Sequence, residues 1–218
     1  MTQKNIGQVM SLLKKAVKAV HVPWLDSLAS GERDPFKILV SCILSLRTQD
    51  KTTEEASARL FDLASSPPEM AALSQGKIEK AIYPVGFYRI KARTIKTLSE
   101  TVAGRYEGKV PDSLDELLKL KGIGRKTANL VITLGFGKFG ICVDTHVHRI
   151  VNRWGYVRTR TPEETEFALR ERLPRRYWRE LNGLLVAFGQ NICKPLSPFC
   201  SACSLKSFCG KVHVTRRR

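Results

Sequence analysis

Three segments of this chain mark helix starts in the same way. Ser66 precedes Pro67 and is followed by Glu69; Ser113 is followed by Glu116; Thr161 precedes Pro162 and is followed by Glu164. Each places a hydroxyl at an N-cap position and a carboxylate three residues on, where backbone amides lack partners. Proline fits the first helical position because no N–H is needed there. The pattern predicts helices starting near residues 67, 114 and 162. Ile6, Val9, Met10, Leu13, Val17 and Val20 recur at helical spacing, with Pro23 expected to stop that helix. Lys37 to Leu46 is apolar nearly all round and reads as a buried central helix. Gly86, Gly104 and Gly135 fall where helices can end. Strand-like alternation is nearly absent, and there is neither an internal repeat nor a low-complexity linker. The expectation is an all-α fold of about ten helices. The basic tail, Arg216 to Arg218, is expected to be frayed and solvated.

The charge balance narrows the partner. Thirty-seven Lys and Arg oppose twenty Asp and Glu, for a net charge of +17 over 218 residues. A polyanion is the natural partner and nucleic acid the commonest one; an anionic membrane surface is the other reading. The N-terminal stretch lacks the apolar core of a signal peptide, and the longest near-continuous apolar run, Ile38 to Leu46, is too short to span a bilayer. The protein is expected to be intracellular, in the cytoplasm. Six cysteines in a reducing compartment argue against a disulfide framework.

Four of those cysteines, Cys193, Cys200, Cys203 and Cys209, stand in a C-x6-C-x2-C-x5-C array within 17 residues. Thiolates gathered this closely suit an iron–sulfur cluster or zinc. Zinc ribbons usually pair two C-x2-C knuckles across a longer loop, and this segment has one knuckle flanked by single cysteines. The spacing favours a compact loop around a cluster and leaves zinc open. Cys42 and Cys142 sit in apolar surroundings and read as core residues.

A second motif is Leu120–Lys121–Gly122–Ile123–Gly124–Arg125–Lys126–Thr127–Ala128. One helix is expected to end at Gly122 and another to begin near Gly124, with both glycines permitting positive φ. Such a helix–hairpin–helix leaves turn amides and a helix N-terminus bare, which suits one phosphate without reading base sequence. An ordinary glycine-closed turn is the plainer reading, and the Arg125–Lys126 pair favours DNA. Lys126 falls in the first helical turn, where the dipole disfavours a cation, and nucleophilic attack requires a neutral amine. Simple phosphate binding by Lys126 explains the segment equally well. Val143–Asp144–Thr145–His146 follows, with Asp144 placed as an N-cap that also presents a carboxylate.

Taken in order, the Gly-Ile-Gly-Arg-Lys hairpin, the Val-Asp-Thr-His segment and the four-cysteine array resemble endonuclease III, of the helix–hairpin–helix glycosylase superfamily. The resemblance runs from about Pro35 to Cys209. It implies a bifunctional DNA glycosylase and abasic-site lyase that removes oxidised pyrimidines from double-stranded DNA, acting as a monomer associated with the nucleoid. It implies Lys126 as the nucleophile toward the sugar C1′ and Asp144 as the carboxylate that assists it. It makes Cys193, Cys200, Cys203 and Cys209 the ligands of a [4Fe-4S] cluster. It also implies two helical domains: residues 23–139 carrying the hairpin, and residues 1–22 plus 140–218 holding the cluster. The family flips its target base into the cleft between such domains. Lys121, Gly122, Ile123, Gly124, Arg125, Thr145, His146 and Lys194 are the expected DNA contacts.

The loops Leu44–Asp50 and Val85–Tyr88 match those that fill the hole left by the flipped base. Here the chain departs from common family usage, with Arg47 where Gln is frequent and Phe87 where an aliphatic residue is frequent. Arg47 offers a bidentate hydrogen bond to an estranged purine and Phe87 a stacking wedge. Lys121 replaces a frequent proline. Between Cys193 and Cys200 only Lys194 is basic, where relatives often carry several such residues. Two alternatives remain: a mismatch-specific glycosylase of the same superfamily, against which Lys126 counts, and a non-catalytic iron–sulfur DNA-binding module, against which the presence of both Lys126 and Asp144 counts.

Overall fold

A computed structural model describes residues 1–18, 24, 28 and 33–218; the expected stop at Pro23 and the periodic Val20 lie outside these. Among the described residues the regular structure is helical throughout, with eleven α-helices and two short 3-10 turns. Among the described residues no helix is long and apolar enough to cross a membrane. The chain divides into two compact units, Trp24–Lys138 and Met1–Pro23 with Phe139–Arg218.

The Trp24–Lys138 unit is built around α2 (Pro35–Ser45). Asp34 caps it, its carboxylate accepting the N–H groups of Phe36 at 2.8 Å and Lys37 at 3.1 Å. Phe36, Ile38, Leu39, Val40, Cys42, Ile43 and Leu44 are all buried, on every side of the helix. Such a helix needs neighbours all round, and α3 (Asp50–Leu63), α6 (Tyr88–Arg105) and α8 (Arg125–Leu130) supply them. The short α4 (Pro67–Ala72) and α5 (Gln75–Ile82) pack on α6, and α7 (Leu114–Leu118) packs on α8. Beyond α8 the backbone widens into a π-turn, Val131–Gly135, closed by the Phe136 N–H on the Val131 carbonyl at 3.2 Å. A Cβ on Gly135 would stand 3.1 Å from the Cα of Pro35, so the missing side chain lets this turn close on the start of α2.

The other unit wraps α1 (Ile6–Val17) together with α9 (Thr145–Arg153), α10 (Pro162–Arg172) and α11 (Trp178–Asn191). Ile6, Val9, Met10 and Leu13 of α1 join Val147, Ile150, Val151, Trp154, Leu181, Leu185 and Phe188 in one buried core. Burying a side chain of this size yields about 1.5–3 kcal/mol, so the distant N-terminal segment is held by its apolar stripe.

The three predicted helix starts fall at Pro67, Leu114 and Pro162. The capping carboxylates behave differently. Glu69 accepts the N–H groups of Ser65 at 2.8 Å and Ser66 at 3.0 Å, which holds its carboxyl below the usual range. Glu164 reaches past the cap to the Arg160 N–H at 2.8 Å. Glu116 does not reach back; it accepts from Lys119 and from the Tyr106 hydroxyl instead. Gly104 is the penultimate residue of α6, and Gly108, at φ +76°, makes the turn beyond it. The tail also differs from expectation. The Arg218 N–H donates to the Pro198 carbonyl and the Arg218 carbonyl accepts from Ser201, both at 2.9 Å, so this end is pinned to the cysteine loop.

Candidate functional site

The hairpin joins α7 to α8. Its first helix ends at Leu118, four residues before the expected Gly122, because the next bonds tighten: Lys119 and Leu120 donate three residues back, to Glu116 and Leu117. Leu120 and Ile123 are buried and anchor the turn. The two glycines do different work. Gly122 is left-handed at φ +87°, and a Cβ there would stand 2.7 Å from Cγ2 of Thr94 on α6. Gly124, expected to share that freedom, is extended at φ −95°, with nothing within 4 Å of a Cβ position. Its lack of a side chain therefore leaves open ground before the first turn of α8. Lys121 is exposed, Arg125 and Lys126 are half-buried, and Lys126 stands second in α8.

Two further turns of this unit lie side by side. Arg47 follows the end of α2 and Phe87 caps the start of α6; both are exposed and left-handed, at φ 54° and 59°. The Arg47 guanidinium lies 5.7 Å above the Phe87 ring. A Cβ on Gly86 would come within 2.9 Å of the Arg47 carbonyl, so only glycine lets the turns approach this closely. Beneath them lies Lys91, a residue to which sequence reasoning assigned no role. Its ammonium donates to the carbonyls of Leu44 at 2.8 Å and Leu46 at 2.5 Å, and to the Thr48 hydroxyl at 3.0 Å. Burial pulls its pKa down to about 8.

Asp144 belongs to the second unit. It is the N-cap of α9, its carboxylate accepting the Val147 N–H at 2.8 Å. Thr145 is exposed and His146 half-buried at the start of the same helix. Arg149 donates to Nδ1 of His146 at 3.1 Å and to the Cys193 carbonyl at 2.9 Å. Arg153, one turn on, donates to the carbonyls of Lys194 at 2.7 Å and Pro195 at 2.6 Å, and to Sγ of Cys193 at 3.5 Å. The helix that opens on Asp144 thus closes on the cysteine loop. The four-residue spacing between Arg149 and Arg153, which puts both on one helix face, was the signal available in the sequence.

Cys193, Cys200, Cys203 and Cys209 line a single cavity of about 20 Å³, with Trp154, Phe188, Ile192 and Phe199 among its apolar walls. No group of three or more His, Cys, Asp or Glu among the described residues is close enough to hold one metal ion. Burial pushes the thiols of Cys203 and Cys209 up, and the charges of the neighbouring cysteines add to the rise. The Lys211 N–H donates to Sγ of Cys209 at 3.4 Å. Lys194 is exposed, its ammonium 5.3 Å from the centre of the Phe199 ring; Arg218 stacks on the same ring at 5.2 Å. The tail thereby adds a second cation beside the Cys193–Cys200 segment, whose one basic residue is Lys194. Cys42 and Cys142 are buried in the cores.

Three comparisons bear on these geometries. Residues 40–175 match the model of the HhH-GPD superfamily base excision DNA repair proteins. Endonuclease III of Thermotoga maritima is 51% identical over 192 residues, 85% of this chain and 90% of its own length. Endonuclease III-like protein 1 of Mus musculus is 43% identical over 84% of this chain, which spans 62% of that longer protein. A solved structure of a trapped endonuclease III–DNA covalent intermediate, in an estranged-adenine complex, superposes with a TM-score of 0.85 at 33% identity, covering 97% of both chains.

Proposed function

The chain belongs to the HhH-GPD superfamily of base excision DNA repair proteins, and we propose that it removes oxidised pyrimidines from duplex DNA and then nicks the abasic site. It is a DNA glycosylase and abasic-site lyase. The observation that carries the lyase step is a lysine, Lys126, in the first helical turn behind the Gly122–Ile123–Gly124 hairpin.

In this reading the Lys126 amine attacks C1′ of the damaged nucleotide as the bond from C1′ to the base breaks. The base departs with the bonding electron pair and takes up a proton. Loss of the amine proton and opening of the sugar leave an imine between Nζ and C1′. Removal of a C2′ proton then expels the 3′ phosphate by β-elimination, and water releases the lysine. Asp144 supplies the anion that stabilises the cationic sugar while the base leaves. Gly122, Gly124 and the start of α8 receive a backbone phosphate, with Lys121, Ile123 and Arg125 around them. Arg47 and Phe87 fill the hole left by the flipped base. Thr145, His146 and Lys194 make further contacts with the DNA. The protein works as a monomer in the cytoplasm, at the nucleoid.

The four cysteines suit a [4Fe-4S] cluster: four soft donors share one apolar cavity, with an arginine and a backbone N–H directed at two of the sulfurs. Burial and mutual repulsion both disfavour free thiolates at Cys203 and Cys209, a penalty that bound iron would offset. When bound, the cluster cross-links the loop through iron–thiolate bonds. The purified protein is then yellow-brown; a colourless preparation that contains zinc, made without oxygen, contradicts this assignment.

Borohydride trapping tests the chemistry. The wild type forms a covalent adduct with abasic duplex, whereas Lys126→Gln forms none and still binds that duplex. Strand cleavage retained by Lys126→Gln assigns the nucleophile elsewhere. No adduct from the wild type ends the lyase reading. A panel of duplexes, each carrying one lesion, ranks the substrates.

A further inference from the structure

Lys91 is the one buried lysine among the described residues, at 6% exposure. Burying an ammonium is costly, and methionine would fill similar space without that cost. What methionine lacks is N–H donors, and Lys91 uses all three of its own. The acceptors are the Leu44 and Leu46 carbonyls and the Thr48 hydroxyl, none of them a carboxylate. Leu44 is in the last turn of α2, whose final carbonyls have no helical partner and carry the negative end of the dipole. A cation there caps the helix, and its bonds bracket Arg47.

The same residue also holds the opposite turn. The Lys91 backbone N–H donates to the Phe87 carbonyl at 3.0 Å. One residue is therefore bonded to both turns: by its side chain to that of Arg47, and by its backbone to Phe87. Both turn residues are left-handed without being glycine, a conformation that persists only where the surroundings enforce it. The close approach at Gly86 and the Arg47–Phe87 stack are the contacts that this bonding holds in register.

We infer that Lys91 is a positioning residue for base excision: its ammonium fixes the placement of Arg47 against Phe87, and so acts on opening the duplex rather than on cleaving the sugar. This rests on the function proposed above. An abasic site in a single-stranded oligonucleotide has no opposing base and leaves no hole in a duplex, so its cleavage does not need the pair.

The test compares two single-turnover rates in the intact protein: base excision from a thymine-glycol duplex, and cleavage of a single-stranded abasic oligonucleotide. In Lys91→Met the first is expected to fall about ten- to hundredfold, as misplacement alone can cause, while the second stays within about twofold. Thr48→Val, which removes one acceptor and keeps the shape, shows a smaller loss confined to the duplex. In an Arg47→Ala/Phe87→Ala background, Lys91→Met adds no further loss. Equal losses on both substrates, undiminished duplex activity, or a fully additive loss in the double-alanine background would each overturn the inference. If Lys91→Met does not fold, Thr48→Val decides by the same comparison. A wild type that cuts neither substrate fails at the proposed function itself, and this inference falls with it.

Discussion

Gly122 and Gly124 stand two residues apart in one turn, and they are glycine for different reasons. At Gly122 a side chain meets both a left-handed backbone and the Thr94 methyl. Gly122→Ala is expected to lower stability by about 1–3 kcal/mol in urea denaturation. At Gly124 the backbone is extended and the space is open, so Gly124→Ala leaves stability within about 1 kcal/mol of wild type. It is the second variant that should bind abasic duplex more weakly, because its methyl would stand where the proposed backbone phosphate is received. Equal stability losses in the two variants would contradict this division. Lys91 carries a pH signature at the same scale. Its folded pKa is about 8, against about 10.4 in an unfolded chain. Between those values the unfolded state binds more protons, so the Lys91 contribution makes stability rise with pH from about 8 to about 10.4. Below pH 8 both states are protonated and the contribution is flat. Denaturation of the wild type and Lys91→Met across this window should show the rise in the wild type alone.

At the scale of elements, α9 links a capping carboxylate to the cysteine loop within nine residues. Asp144 serves the helix through one acceptor oxygen and, in the proposed reaction, serves the sugar through its charge. Asparagine separates the two. Asp144→Asn keeps an acceptor for the Val147 N–H and should cost well under about 1 kcal/mol, whereas Asp144→Ala should cost about 1 kcal/mol. Both should lower base excision by a similar factor, about 10²–10³, because both remove the anion. Excision that follows stability instead, with asparagine nearly active, would reduce Asp144 to a cap. The far end of the helix explains the two arginines. Arg149 and Arg153 satisfy carbonyls of the cysteine loop, which has no regular structure to satisfy them itself.

For the whole molecule, the charge of +17 suits a polyanion, and affinity for one depends on salt through the phosphates neutralised. Binding that neutralises six to ten phosphates loses about 10³–10⁵ in affinity between roughly 50 and 200 mM salt. A loss of that size is expected for undamaged duplex, measured by fluorescence anisotropy. A nearly flat response would mean that the basic surface has another use.

The sequence by itself determined the helical class, the three helix starts and the hairpin, because these are local. A capping hydroxyl, a proline at the first helical position and two glycines act on residues within one turn of themselves. The Asp144 cap was legible for the same reason. Tertiary structure decided what depended on distant partners. Glu116 fits the capping pattern and turns to Lys119 and Tyr106 instead, because a carboxylate takes the better donors within reach. Gly124 looks like Gly122 in sequence, and only the helix packed behind the turn tells them apart. The tail looked free until Pro198 and Ser201 took its backbone. Lys91 was the least visible of all. In a chain with thirty-seven basic residues, one more lysine on a helix carries no mark. Its significance lies in three oxygens more than forty residues away, brought beneath it when α2 and α6 pack together.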